Sequence, residues 1–203
     1  KILPKRIEAF DVSHLGGKNI VGSMVCFVNT RPKKSEYRKF KIKSVEDNND
    51  FASIQEIVLR RYTRVVKESS ILPDLILIDG GKGQLSAAGS SLKQLGLEHI
   101  PIIGLAKRLE EIYVPGIKDP QSIDKQSPSL ILLRKIRDEA HRFAITFQRQ
   151  KRNSSLVSSP FEKINGMGKK RVNTLLNSFE NIKIISQLTA EVLNGETGIP
   201  LKI

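Results

Sequence analysis

Residues 74–79 read Asp-Leu-Ile-Leu-Ile-Asp, and Gly80, Gly81, Lys82 and Gly83 follow at once. A short run that is apolar at both odd and even positions suits a strand covered on both faces. Such a strand needs helices above and below it, and the glycines let the backbone turn into one. The pattern predicts a helix over about 84–95 and another apolar strand at 101–106. That succession implies parallel strands joined by crossover helices, an α/β fold.

The flanking sequence fits around this unit. Residues 7–13 and 20–28 read as two strands of a hairpin turning at Gly16, Gly17, Lys18 and Asn19. Residues 37–43 alternate and predict a third strand with a basic outer face. Asp50 is placed to cap a helix over roughly 51–67, with Phe51, Ile54, Val58, Tyr62 and Val65 on its core face and Arg60 and Arg64 on the wet one. The Pro- and Ser-rich stretch 115–129 predicts a loop. A long helix follows over about 129–150, its core face marked by Leu133, Ile136, Ala140, Phe143, Ala144 and Phe147. Arg134, Arg137, Asp138 and His141 run along the edge of that face. Residues 151–159 read as a polar linker, after which Ser159, Pro160 and Glu162 supply the capping signals of a new helix. The expected division is 1–152 for the main domain and 153–203 for the linker and a small helical module.

The 34 Lys and Arg against 21 Asp and Glu give a net charge of +13, with most of the excess before residue 160. That balance favours a polyanionic partner. With no Trp, eight Phe and three Tyr, extensive base stacking is poorly supported, so contact with a phosphate backbone is the better expectation. A single cysteine, Cys26, excludes a disulfide framework and any zinc site built on several thiolates, and fits a reducing, cytoplasmic setting. No apolar run is long enough to span a membrane, so no membrane partner is expected. The start at Lys1 rather than Met points to a piece of a longer protein.

Three residues stand out chemically. Asp79 closes a buried strand, at the carboxyl end where ligands sit in open α/β sheets. A turn-forming role is the plain alternative. A nucleotide-binding loop is another, although Lys82 is followed by Gly83 rather than Ser or Thr. Asp11 lies in the apolar stretch Ile-Glu-Ala-Phe-Asp-Val-Ser, where an ionised carboxylate is costly unless it is paired or holds a cation. A salt bridge and a metal site are both open for it. His141, at the edge of a helix's core face, is either a hydrogen-bonded structural residue or a third ligand. His14 follows Asp11 on the same strand end. Converging oxygen and imidazole ligands would suit Mg2+ or Mn2+. Near the carboxyl end, Gly166 and Gly168 flank Met167 ahead of Lys169, Lys170 and Arg171. Free N–H groups at that helix start could hold a phosphate, or the segment is an ordinary helical corner.

Together, the segments FDVSH (10–14), YRKFKI (37–42), PDLILIDGGKGQLSAA (73–88), GLAK (104–107) and IRDEAHRFAI (136–145) closely resemble, in order, the C-terminal nuclease region of the UvrC family. INGMGKKR (164–171) and TGIP (197–200) resemble the start of that family's paired helix-hairpin-helix module, with the second hairpin truncated. The resemblance implies an RNase H-like mixed sheet flanked by helices. It also implies a Mg2+- or Mn2+-dependent endonuclease that cuts damaged double-stranded DNA 5′ of a lesion after UvrA and UvrB have located the damage and UvrB has been loaded. The family's Asp–Asp–His triad falls on Asp11, Asp79 and His141. Asp50, Lys82, Lys107, Arg38 and Arg137 match further charged positions of the family, and Gly166, Gly168, Lys169 and Lys170 match its DNA-binding hairpin.

Overall fold

The computed structural model describes residues 3–15, 19–43, 49–106, 111–156, 164–179 and 182–200. It divides into two compact units, 1–146 and 147–203. Both the expected hairpin turn at 16–18 and the capping signals at 159–162 lie outside the described residues.

Two ten-residue strands, β1 (Arg6–Leu15) and β2 (Asn19–Val28), pair antiparallel and open the first unit. Short strands β3 (Arg31–Pro32) and β4 (Arg38–Lys41) both pair with β2. Helix α1 (Asp50–Lys67) then crosses to β5 (Leu75–Asp79), which lies parallel to β1, and α2 (Lys82–Gln94) crosses to β6 (Ile102–Leu105), parallel to β5. Strand β7 (Ile112–Tyr113) returns antiparallel to β6. The sheet order is β3-β2-β1-β5-β6-β7, with β4 also on β2. Among the described residues, no helix is long and apolar enough to cross a membrane.

The central strands are covered on both sides, as their composition requires. On one side Phe10, Met24, Ile76 and Ile78 pack with Ile54, Ile57, Val58 and Tyr62 of α1 and Leu85, Ala88 and Leu92 of α2. On the other, Ile7, Ala9, Val25, Phe27 and Leu77 pack with Leu130, Leu133, Ile136 and Ala140 of helix α3 (Pro128–Leu156). Burying each of these large side chains is worth roughly 1.5–3 kcal/mol, so the two layers are what fix the sheet between the helices.

The structure corrects the sequence reading in detail. Helix α1 begins one residue early: Asn49 is its cap, accepting from the Ala52 amide at 3.1 Å, and Asp50 is its first residue. Phe51 is 56% exposed, and Ile57 takes its place in the core. Strands β3 and β7 were not expected, nor the 3₁₀ turn at Lys34–Glu36. The stretch read as a linker is helical as far as Leu156, because no Gly or Pro interrupts the chain after Pro128 until Pro160.

In the second unit, helices α4 (Lys169–Ser178), α5 (Ile182–Ile185) and α6 (Ala190–Thr197) follow one another. Met167, Val172, Leu175 and Ile185 form their small core, with Phe179, Leu193 and Ile199 against it. Gly198, at φ 68°, closes α6 in the left-handed conformation that glycine adopts without a Cβ penalty, its N–H donating to Asn194 O at 2.7 Å.

Candidate metal centre

Side chains on a strand alternate between faces, so Ile7 and Ala9 on the α3 side of β1 put Asp11 on that side too. On β5, Leu77 faces α3 and Asp79 follows two residues later. The parallel register sets Phe10 beside Ile78, which leaves Asp11 and Asp79 one step further along their neighbouring strands. From above, α3 lays Ala140 on this face, and His141 comes next. The three separated residues therefore meet: one ligand atom from each of Asp11, Asp79 and His141 lies within 4.8 Å of the others.

Asp11 is the buried member, at 4% exposure. Its Oδ2 lies 3.2 Å from His141 Nδ1 and accepts from Ser13 Oγ at 3.2 Å. Burial pushes the Asp11 carboxyl up, while His141 and Ser13 act in the opposite sense. An ionised Asp11 thus calls for added positive charge. The His141 side chain is 40% exposed, so the cluster opens to solvent on that side. Two carboxylates and an imidazole, half sheltered and converging, fit a hard divalent cation such as Mg2+ or Mn2+.

The other sequence candidates are placed less centrally. Lys82 is the exposed first residue of α2, three positions after Asp79. Arg137 is buried one helical turn before His141; two of its nitrogens meet Asp138 Oδ1 at 3.0 and 2.9 Å, and Nη1 is enclosed without a hydrogen-bond partner. Arg38 is not brought to the cluster. It pairs in register with Met24, on the α1 side of the sheet, and its guanidinium donates to the Ser35 and Tyr37 carbonyls at 3.0 and 2.9 Å. Asp50 stands in the first turn of α1. Lys107 and the His14 side chain lie outside the described residues. In the second unit Gly166 has φ 90° and Gly168 precedes α4, in which Lys170 is exposed; the side chain of Lys169 lies outside the described residues.

A second group, Glu8, Cys26 and Glu36, is equally tight but chemically different. Glu8 is fully buried and meets Arg6 Nη2 at 2.7 Å, Arg61 Nη2 at 2.8 Å and Tyr62 Oη at 3.1 Å. Glu36 pairs with Arg6 and Lys33. Burial raises the Cys26 thiol to about 11, which keeps it protonated. Guanidinium groups already neutralise these carboxylates, so this is an ionic strut and not a cation site. Sequence reasoning passed over Glu8, Ser13 and Ser23, yet strand parity was a usable signal: it sends Glu8 to the face opposite Asp11 and the two serines to the same one.

A mixed sheet between helix layers, with a carboxylate from the middle of β1, another from the end of β5 and a helix-borne imidazole converging on it, defines an RNase H-like α/β domain. The chain belongs to the UvrC RNase H endonuclease domain family, which it matches over residues 1–145. It is 50% identical over 195 residues to the UvrABC system protein C of Prosthecochloris aestuarii, covering 96% of this chain and 32% of that protein. The corresponding protein of Cytophaga hutchinsonii is 50% identical over 200 residues, 98% of this chain and 34% of the relative. The chain therefore spans about a third of the length of these curated relatives. Among solved structures, Ciona intestinalis endonuclease V in complex with an inosine-containing 24mer DNA aligns with TM-score 0.39 and 23% identity, over 57% of this chain and 51% of that one.

Proposed function

We propose that this chain is the part of a UvrC-type excision-repair protein that makes the 5′ incision beside a lesion in damaged double-stranded DNA, using Mg2+ or Mn2+. The observation that carries the reading is the convergence of Asp11, Asp79 and His141 within 4.8 Å, drawn from β1, β5 and α3. Asp11 and Asp79 would hold the cation as carboxylate ligands, with His141 as the third. A bound divalent ion supplies an acidified water and stabilises charge on the scissile phosphate, so no covalent protein nucleophile is needed. Asp11 anchors the centre from the buried side. His141, on the open side, is placed to meet solvent and substrate.

The rest of the reading follows from charge and family. The net charge of +13 supports backbone-directed DNA binding. Lys82, Lys107 and Arg137 are proposed as basic support around the centre, with Asp50 as an acidic neighbour. Gly166, Gly168, Lys169 and Lys170 are proposed to grip a phosphate as part of a partial helix-hairpin-helix module that, with the segment leading into it, makes up residues 153–203. Family membership supports UvrB as the loading partner, UvrA acting before it, and a cytoplasmic site of action.

The test is a nicking assay with UvrA, UvrB, Mg2+ and a lesion-bearing duplex, using the longer protein that carries both incision activities. Asp79→Asn is expected to abolish the 5′ cut and leave the 3′ cut. Retention of the 5′ cut by that variant would remove Asp79 from the reaction and the reading with it.

A further inference from the structure

Ser23 stands directly opposite Asp11 in the β1–β2 ladder and is fully buried on the same face of the sheet. Its Oγ donates to the carbonyl of Ala140 at 2.9 Å. That carbonyl lies inside α3, and a helix interior already supplies it with the amide four residues on. The hydroxyl therefore makes a second bond to a satisfied acceptor, at the residue immediately before His141. Elsewhere Ile136 and Ala140 meet the sheet through apolar contacts, which resist separation but set no particular height or rotation. A hydrogen bond does set both. The Tyr37 hydroxyl, which donates to Glu139 at 3.1 Å, steadies the same turn of α3 from another side.

We propose that Ser23 is a positioning residue of the metal centre: its bond to the Ala140 carbonyl holds α3 where His141 meets Asp11. This rests on Asp11, Asp79 and His141 being the ligands. The geometry runs as a closed circuit, from Asp11 across the ladder to Ser23, from Ser23 to the Ala140 carbonyl, along one peptide to His141, and back to Asp11 at 3.2 Å. Cutting the circuit at Ser23 leaves every ligand in the chain and loosens only their mutual placement.

The experiment measures Mn2+ affinity of the 203-residue chain by calorimetry, beside its urea midpoint. Residues that orient metal ligands usually influence affinity by about 10–100-fold, so Ser23→Ala is expected to weaken Mn2+ binding by roughly tenfold. Its urea midpoint should stay close to the parent's, because the Ala140 carbonyl keeps its helical partner. Ser23→Thr, which retains the hydroxyl, should recover most of the affinity. Unchanged affinity in Ser23→Ala, or equal loss in the Ala and Thr variants, overturns the proposal. If Ser23→Ala does not fold, Ser23→Cys decides: its thiol fills the space but donates feebly, so parent-like Mn2+ affinity there would sink the idea and weakened affinity would support it. Asp11→Asn separates the two levels. Its loss of binding beside an intact Ser23→Ala condemns only the role of Ser23, whereas unaltered binding in Asp11→Asn condemns the ligand assignment itself.

Discussion

Glu8 and Asp11 are three residues apart on β1, and that odd spacing sends them to opposite faces of one sheet. Each is a buried carboxylate in an apolar strand. Glu8 meets two guanidinium groups and a phenol, while Asp11 meets an imidazole and a hydroxyl. The sequence alone left a salt bridge and a metal site equally open for Asp11, because its partner His141 comes from a helix 130 residues further along the chain. Glu36 extends the Glu8 strut to the chain between β3 and β4, and its hydrogen bond from Arg6 holds its carboxyl down at about 2. The folded value lies below the ordinary 4.5, so the stability it contributes is complete above the unfolded value and drains away as pH falls from there toward 2. Glu36→Gln is therefore expected to be less stable than the parent near neutral pH, by about 1 kcal/mol once solvent screening of this partly exposed pair is allowed for, with the gap closing in strong acid. Urea unfolding of both proteins across the acid range checks it; a pH-independent gap would show that the ion pair is not its source.

At the scale of elements, the turn after β5 is shaped by β6 as much as by its own glycines. A Cβ on Gly104 would stand 2.9 Å from the Gly80 carbonyl oxygen and 3.5 Å from the Leu85 and Tyr113 Cβ atoms. Backbone cannot swing aside as a side-chain tip can. Gly104→Ala is thus expected to destabilise the fold by about 1–3 kcal/mol through overpacking and to push on the turn that carries Asp79. Urea midpoints and Mn2+ titration should fall together; a parent-like midpoint would mean that the strands part at no cost. The sequence disclosed β5 and α2 because their patterns are local and strong. It could not disclose β3 or β7, since two residues are too few to show an alternating pattern and these strands exist only through their ladders with β2 and β6. The Asn49 cap escaped for a related reason: Asn49 and Asp50 are both good caps, and only the packing of Ile54, Ile57 and Val58 sets the start of the helix.

Across the whole molecule, the positive charge is held by a unit whose sheet carries the proposed metal centre and a second unit with its own small core. If binding is to the phosphate backbone, affinity for a short duplex should drop at least ~10-fold between about 50 and 200 mM salt, with little dependence on sequence. Fluorescence anisotropy at several salt concentrations reads this directly, and a flat response would exclude backbone contact as the main term. The assembly of Asp11, Asp79 and His141 was legible because each sits at a recognisable place in a periodic element. The circuit that holds them was not, because Ser23 is an ordinary small residue in a strand until the helix above it is in place.

The parallel register of β1 and β5 also governs which changes of length the gene can tolerate. Between Leu75 and Asp79 the side chains alternate, so one inserted codon would carry Asp79 to the α1 side and bring an apolar residue to the cluster. Two inserted codons would restore the face but lift the carboxylate by a full repeat of the strand, beyond the reach of Asp11. Point substitutions in this strand can be graded by size, whereas insertions and deletions cannot. Among descendants of this gene, length variation should accordingly gather in the 115–127 stretch ahead of α3 and leave the five residues of β5 unaltered in number.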